Sequence, residues 1–212
     1  MGITTKKPPL KETVGAQFIC FNTMTEEGEW TEKFETEVEK TQVVKTIKVS
    51  ENTSVAEVYA SGIVYDADST VTGSNIETEV IAFVAETLAK MRGDKVEDGG
   101  LILSGGSGEG RNRPYFAYGK VVKLKGGHFR WDWYPKCKLF ENTDEAKTKE
   151  ESFSEQTDTI TIKAYPFNDA GDIKASVDST MTTFPSGLTE EKFFAKPILT
   201  TGDLAAAVGT GV

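Results

Sequence analysis

The sequence predicts a mainly β protein, a sandwich or barrel with one packed α-helix at about residues 75–92 and with extended terminal arms and loops. Several short runs alternate between apolar and polar residues and end at turn-forming residues, which is typical of strands. Only one stretch has a convincing helical period. The chain of 212 residues, with 12 Phe, 6 Tyr and 3 Trp, can bury a substantial core. We therefore expect an arm over residues 1–13, one domain over 14–184 and a second arm over 185–212.

The helical period lies in the segment Ser74–Gly93. Six apolar residues fall on one helical face: Ile76, Val80, Ile81, Val84, Leu88 and Met91. Ser74 and Glu77 have the spacing of a capping box, and Gly93 supplies a C-terminal stop. Strand-like segments flank this stretch on both sides, so the apolar face of the helix is expected to cover one face of a β-sheet.

The first half of the chain contains three predicted strand regions. Gly15–Phe21 is a short apolar strand, and Phe34–Glu39 alternates strictly, with glutamates on one face. The residues from Val43 to Tyr65 indicate a long hairpin that is interrupted at Ser50-Glu51-Asn52. Asp66–Gly73 is then expected to be a linker into the helix.

The second half is predicted to add a hairpin and further strands. Tyr115–Leu124 and His128–Phe140 flank Lys125-Gly126-Gly127, a compact turn signal. One face of the second strand is predicted to belong to the core: Phe129, Trp131, Trp133, Cys137 and Leu139. The remaining predicted elements are strands at Leu101–Leu103, Thr157–Phe167 and Ile173–Ser179, a helical turn at Thr189–Phe194 and a flexible tail at Ala205–Val212.

Charge and residue usage argue against several functions. The formal net charge is −9 and the pI is about 4.8, which opposes a tight grip on nucleic-acid phosphates. His128 is the only histidine, and Cys20 and Cys137 lie in no paired motif, so neither a catalytic triad nor a zinc cage is predicted. We expect two buried free thiols, no metal, no cofactor and no enzymatic activity. No apolar run has the length of a membrane span, so we expect synthesis in the cytoplasm and no membrane partner.

The glycine-rich run Gly105–Asn112 approaches the spacing of a phosphate-binding loop. Arg111 and Asn112 stand where that motif requires Lys followed by Ser or Thr, and Pro114 disfavours the helix that should follow. The run is therefore predicted to be a surface loop.

Three glutamates form a regular charged pattern. Glu35, Glu37 and Glu39 would share one face of their strand, either as a solvated edge or, if repeated copies lined a common surface, as a negative wall. Trp30 lies in the acidic loop Asn22–Lys33, where an exposed indole suits docking better than a core.

Three segments carry a resemblance to a known family: PYFAYGKVVKLKGGHFRWDWYPKCKLFE, QTDTITIKAYPFNDAGDIKASVDS and TTFPSGLTEEKFFAKPI. Together with the arm, the preceding strands and one helix, they resemble the major tail proteins, or tail tube proteins, of long-tailed non-contractile bacteriophages (siphophages). The resemblance covers roughly Gly15 to Leu199. Its most characteristic parts are Pro114–Leu139 and Phe184–Phe194.

This resemblance implies a structural virion protein with a tail-tube-type β-sandwich. Such subunits form hexameric rings whose inner strands close into a barrel, and the rings stack in a helical tube that conducts the genome into the host cell. The implied location is the virion tail. The implied partners are further copies of the chain and other tail proteins such as the tape measure, tail tip and terminator, while DNA passes through the lumen without specific binding.

The resemblance also suggests roles for particular residues. The candidate lumen-facing residues are Glu35, Glu37 and Glu39. The candidate inter-subunit stacking anchors are Trp30, Phe193 and Phe194. The acidic loops Asn22–Lys33 and Glu141–Gln156 and the terminal arms are further candidates for contacts between rings.

Two alternatives remain at this stage. A tube protein of a contractile injection system would share the architecture. A monomeric carbohydrate-binding β-sandwich would instead present Trp131, Trp133 and Tyr134 as an exposed sugar platform. The solvent accessibility of these three side chains distinguishes a sugar platform from a core face.

Overall fold

A computed structural model describes residues 7–105, 112–144, 148 and 156–209, and this part of the chain is mainly β. The strands are β1 (Lys11–Phe21), β2 (Glu39–Thr41), β3 (Val44–Ala60), β4 (Ile63–Val80), β5 (Lys95–Glu97), β6 (Leu101–Leu103), β7 (Phe116–Leu124), β8 (His128–Thr143), β9 (Asp158–Ala164) and β10 (Ala175–Asp178). The helices are α1 (Ala85–Arg92), α2 (Glu190–Phe194) and α3 (Thr201–Val208). The predicted hairpin of β7 and β8 and the helical turn at α2 are confirmed.

Most strands form one antiparallel sheet in the order β2-β1-β7-β8-β9-β4-β3, with β10 paired to β8. Strand β1 shows how this sheet is buried. Gln17 and Ile19 point to one face, Phe18 and Cys20 point to the other, and all four side chains are buried. Because both faces of β1 are covered, the sheet has a core on each side.

The inner face of the sheet curls around one of these cores. Strands β7, β8 and β9 separate β1 from β4 in the sheet, yet Thr78 Oγ1 on β4 donates a hydrogen bond of 3.2 Å to Gln17 Oε1 on β1. The hydroxyl of Tyr118 on β7 donates to the same oxygen at 3.2 Å. The ends of the sheet therefore approach each other across the interior, as in a partly closed barrel.

The outer face of β1, β7 and β8 is covered by the C-terminal segment. Phe18 stacks on Phe194 with ring centroids 3.8 Å apart, and Trp133 Nε1 donates a 3.0 Å hydrogen bond to the carbonyl of Phe193. Gly119 permits this approach, because a Cβ there would lie 2.8 Å from the Phe194 ring. Phe193 and Phe194, which the sequence suggested lay in an arm over 185–212, thus belong to the core of the domain.

The apolar residues of β8 do not share one face. Trp131 and Trp133 pack in the outer cluster, whereas Cys137 packs in the inner one. The pairing of β8 with β7 shifts by one residue between Tyr134 and Cys137. Such a bulge moves the later side chains to the opposite face. The prediction of a single core face is therefore wrong, although four of its five residues are buried and Phe129 is half-buried.

The predicted helix over Ser74–Gly93 is wrong in its first half. Residues 74–80 form the end of β4, where Ile76 and Val80 are buried and Glu77 is exposed. Strands β3 and β9 pair with this segment on both sides. Backbone pairing and a burial period of two therefore outweigh the helical spacing, and no capping box forms at Ser74. Helix α1 begins only at Ala85.

The two ends of the described chain are more ordered than the sequence suggested. Strand β1 begins at Lys11, within the expected arm of residues 1–13. At the other end, Asp203 N donates to Thr200 Oγ1 and Thr200 N donates to the Asp203 carboxylate, at 3.1 and 3.0 Å. This capping box begins α3, which includes part of the predicted flexible tail.

Candidate assembly surface

A long two-stranded ribbon projects from the sheet. Strands β3 and β4 pair from Val44 and Val80 at the base to Ala60 and Ile63 at the tip. Strand β9 pairs with β4 only along residues 74–80. In the part of the chain that the structure describes, residues 51–73 therefore have no strand partner outside the β3–β4 pair itself. We call residues 51–73 the ribbon.

Close contacts fix the point where the ribbon leaves the sheet. The side-chain amides of Asn52 and Asn75 form two reciprocal hydrogen bonds of 3.1 Å. Gly73 passes so close to β9 that a Cβ there would lie 2.8 Å from the carbonyl oxygen of Ala164. The pairing register of β3 and β4 at the base of the ribbon is therefore fixed by the Asn52–Asn75 pair and by the close approach of Gly73 to β9.

Ser61 and Gly62 form the turn at the tip of the ribbon. Both have positive φ, 54° and 80°, which suits a two-residue hairpin loop whose twist matches that of the strands. A long hairpin is present, but the predicted one is wrong in its turn, which lies at residues 61–62 and not at the expected break at 50–52. The expected linker at 66–73 is also wrong, because residues 50–52 and 66–73 both lie within strands. The strands of the ribbon cover no core, so they need no alternating apolar face. Their polar residues therefore have the composition of a loop, which explains the wrong predictions.

Large apolar side chains on the ribbon are exposed. Their exposed fractions lie between 40% and 77%, for Val55, Val58, Tyr59, Ile63, Val64, Tyr65 and Val71. A two-stranded ribbon is marginally stable in water by itself, and burying one such side chain contributes about 1.5–3 kcal/mol. A partner that covered the ribbon would therefore stabilise it substantially.

A second, shorter hairpin also exposes apolar residues. Strands β5 and β6 pair with each other around Gly99 and Gly100, both of which have positive φ. Val96 and Leu101 are 53% and 54% exposed. Two hairpins of the described chain, β3–β4 and β5–β6, therefore expose apolar side chains. Exposed apolar patches often mark interaction sites.

The candidate lumen residues do not lie on a continuous strand. Residues 34–38 contribute only an isolated bridge between Phe34 and Asn22, and β2 begins at Glu39. The expected alternating strand at Phe34–Glu39 is therefore wrong, and with it the shared face of the three glutamates.

Two of these glutamates contact helix α1. The Glu35 carboxylate forms an ion pair with Lys90 at 2.7 Å, and the Glu39 carboxylate accepts a hydrogen bond from the Thr87 hydroxyl. Glu37 is exposed and makes neither kind of contact within the described residues. Glu35 and Glu39 therefore hold helix α1 against the rest of the subunit. Of the three glutamates, Glu37 is the one whose carboxylate has no partner among the described residues.

The candidate anchor residues also differ in their surroundings. Trp30 is partly covered by its own chain, because its Nε1 donates to the carbonyl of Pro135 at 3.3 Å and its ring meets Phe34 edge-on. Phe193 and Phe194 are 0% and 2% exposed. The prediction that these two phenylalanines are surface anchors is wrong, because they pack in the outer core. The strands that they cover are distant along the chain, so the local sequence could not predict this burial.

The aromatic residues of β8 form no exposed platform. Trp131, Trp133 and Tyr134 are 4%, 0% and 1% exposed. A sugar ring could not stack on them without unfolding the core. The carbohydrate-binding alternative required these three side chains to be exposed, so their burial argues against it.

The described residues contain no cluster of three or more His, Cys, Asp or Glu side chains placed to share a metal ion. None of the helices among them has the length and apolar character needed to cross a bilayer. Most of the glycine-rich run at 105–112 and of the acidic loop at 141–156 lies outside the described residues. No protein-family model matches the chain, and no curated protein was found with a similar sequence.

Proposed function

We propose that this chain is a self-assembling structural subunit of a phage tail tube, which polymerises as stacked hexameric rings around a lumen for the genome. The ribbon is the observation that carries the proposal. It exposes apolar side chains on strands that nothing in the described chain covers. A protein whose function is to be covered by neighbouring copies needs such a surface, whereas a monomer is selected against it.

The rest of the fold is compatible with this function. The antiparallel sheet curls into a partly closed barrel, which is the kind of subunit that the sequence resemblance to tail tube proteins implies. Tail-tube-type architecture would place copies of one sheet side by side in a ring and would use a different surface for contacts between rings. A heterologous contact of that second kind generates an open filament.

The proposal is tested by negative-stain electron microscopy across a concentration series, with mass measured by light scattering. Rings or hollow tubes are expected from the wild-type protein. A shortened variant, in which residues 53–72 are replaced by Asn-Gly, joins Asn52 to Gly73, which pair directly in the hairpin. This variant is expected to fold, because none of the deleted residues 53–72 belongs to either core cluster. It is expected to remain unassembled, because it lacks the exposed apolar side chains of the ribbon.

A milder variant separates loss of apolar surface from loss of the ribbon. Tyr59→Ser, Ile63→Ser and Tyr65→Ser together keep the strands but remove three exposed apolar side chains near the tip. We expect this variant to assemble more weakly than the wild type with an unchanged circular dichroism spectrum. A wild-type protein that stays monomeric at every concentration, with or without tail-tip extract as a nucleus, would contradict the proposed function.

A further inference from the structure

The ribbon is acidic as well as apolar. Between Ser50 and Gly73 the sequence contains four carboxylates, Glu51, Glu57, Asp66 and Asp68, and neither lysine nor arginine. Within the described chain, none of these carboxylates forms an ion pair; Glu57 accepts a 2.5 Å hydrogen bond from Tyr59, and Asp66 accepts one from the amide of Ala67. Their charges are therefore available to a partner.

A surface of the opposite charge lies at the turn between β7 and β8. There the segment before β1 runs beside the turn, held by a 2.8 Å hydrogen bond from Lys125 N to the carbonyl of Leu10. Lys7 and Lys125 line a cleft of about 570 Å³ together with Pro8, Pro9 and the 69% exposed Leu10. We call this the basic cleft.

Two further lysines extend the positive charge along the paired strands. Lys11 is opposite Leu124, and Lys123 is opposite Thr13. Like Lys7 and Lys125, they are exposed and form no ion pair with any described residue. Two acidic groups lie nearby, Glu12 and Asp178, but the Asp178 carboxylate already accepts hydrogen bonds from Thr180. In a chain with a net charge of −9, this patch is a local reversal of sign.

We propose that the ribbon of one copy of this chain docks into the basic cleft of a second copy. The proposal rests on the proposed self-assembly and assigns the surface that receives the ribbon. Leu10 and the two prolines offer apolar contact to the ribbon tip, while the lysines face its carboxylates. Apolar burial supplies most of the affinity, and the charges select the partner surface and the register. The two surfaces differ, so the contact is heterologous and can be repeated from copy to copy.

A charge-swap experiment tests the pairing. The ribbon variant carries Glu57→Lys, Asp66→Lys and Asp68→Lys, and the cleft variant carries Lys7→Glu, Lys123→Glu and Lys125→Glu. Each alone places like charges in contact and is expected to raise the critical concentration for assembly about tenfold or more at low salt. A control with the same charge change as the ribbon variant, Glu86→Lys, Asp169→Lys and Glu191→Lys, alters exposed carboxylates outside the ribbon, the basic cleft and the β5–β6 hairpin and is expected to assemble like the wild type.

Restoration is the decisive result. Mixing the ribbon variant with the cleft variant restores both kinds of contact in an alternating assembly, and combining all six substitutions in one chain restores assembly of that chain with itself. If the ribbon variant fails to assemble and neither combination restores it, the cleft is not the receiving surface. If the wild type assembles and both variants assemble equally well, the inference is overturned while the proposed function stands.

The competing occupant of a basic cleft is nucleic acid, and a binding measurement distinguishes it. Wild-type subunits and the cleft variant are titrated with a fluorescent DNA duplex at low salt. Equal and negligible binding is expected, because the remaining surface is acidic. Binding that disappears in the cleft variant, with assembly unchanged, would assign the cleft to DNA and overturn the inference. A wild-type protein that never assembles would overturn both this inference and the proposed function.

Discussion

Thr78 and Gln17 join the two ends of the sheet. The Thr78 hydroxyl and the Tyr118 hydroxyl both donate to Gln17 Oε1 at 3.2 Å inside the curled sheet. Gln17 is fully buried, and its Nε2 makes no hydrogen bond within the described chain. One amide oxygen therefore satisfies two buried hydroxyl groups, and its amide nitrogen remains a cost to the folded state.

We predict that Gln17→Met lowers the free energy of unfolding by about 2–3 kcal/mol, because it leaves two buried hydroxyl groups without an acceptor. Thr78→Val and Tyr118→Phe each remove one donor and are expected to cost about 1 kcal/mol. Urea unfolding followed by tryptophan fluorescence measures all three. In the Thr78→Val/Tyr118→Phe background, Gln17→Met should be close to neutral or stabilising; an undiminished cost there would show that packing, not hydrogen bonding, keeps glutamine at this position.

The β7–β8 hairpin could be predicted from the sequence because local signals agreed. Alternating aromatic residues flank Lys125-Gly126-Gly127, and the structure pairs the strands on either side of that turn. The end of α1 at Gly93 was equally local, because an αL residue with φ 71° is a property of the glycine itself. Where one residue pattern suffices to define a turn or a cap, the prediction holds.

Residues 74–80 show why other predictions failed. Ile76 and Val80 are four residues apart, a spacing that fits a helical face and also alternate positions of a strand. The choice is decided by β3 and β9, which pair with this segment from distant parts of the chain. The ion pair of Glu35 with Lys90 is likewise a long-range contact. No local pattern could have revealed either one.

Gly119 provides a prediction about the outer core. Gly119→Val is expected to destabilise the protein by about 2–4 kcal/mol, because the new Cβ would lie 2.8 Å from the Phe194 ring and 3.1 Å from the Cβ of Phe18. The two rings stack rigidly at a 3° interplanar angle, so neither can move aside easily. Thermal unfolding monitored by circular dichroism measures the effect.

A second glycine serves as the control for that substitution. Gly202 lies in α3, where an added Cβ would meet only Thr200 Oγ1 at 3.5 Å. Gly202→Ala is therefore expected to stabilise the protein slightly, by about 0.5 kcal/mol, through helix propensity. Equal destabilisation by both substitutions would contradict the view that the contact with Phe194 is what excludes a side chain at position 119.

The two thiols are predicted to be unreactive in the folded protein. Cys20 lies in the outer cluster and Cys137 in the inner one, so the sheet separates them and they form no disulfide. Burial raises the pKa of Cys20 to about 12, and burial also raises the pKa of Cys137. Because the thiolate is the reactive form, Ellman's reagent should label neither thiol at pH 8 until denaturant is added.

The same pKa shifts predict a loss of stability at alkaline pH. A thiol whose pKa is higher in the folded state contributes stability that is complete below its unfolded pKa, near 9, and is lost as pH rises towards its folded pKa. Each thiol should cost about 1 kcal/mol between pH 9 and pH 10. Burial lowers the pKa of Lys120, which acts in the opposite direction, while the raised pKa values of Tyr118 and Tyr134 act in the same direction above pH 10.

Urea unfolding at pH 8, 9 and 10 measures this loss. Cys137→Ala is less stable than the wild type at pH 8 because it leaves a small cavity, but its stability should fall less steeply with pH. A slope identical to that of the wild type would mean that the thiol does not ionise differently in the folded and unfolded states.

Glu37 offers a test of the proposed lumen. Its carboxylate is exposed and unengaged within the described chain, so Glu37→Lys should change the free energy of unfolding by less than about 0.5 kcal/mol. Glu35→Lys is a poorer probe, since it would also replace the ion pair with Lys90 by a repulsion. If Glu37 lines the lumen, a ring of introduced lysines would hold DNA through its phosphates, and assembled Glu37→Lys tubes would retain a duplex that wild-type tubes exclude.

Two further measurements show whether the retained DNA is bound by the lysines at position 37: its release by salt, and a control substitution at another site. Each lysine that neutralises a phosphate adds about 0.9 to the slope of log K against log salt, so the retained DNA should be released steeply between 50 and 200 mM salt. Asp169→Lys makes the same charge change at an exposed turn after β9 and serves as the control. Tubes of the two variants that bind DNA equally would remove Glu37 from the lumen wall, because binding would then depend on net charge rather than on where the charge lies.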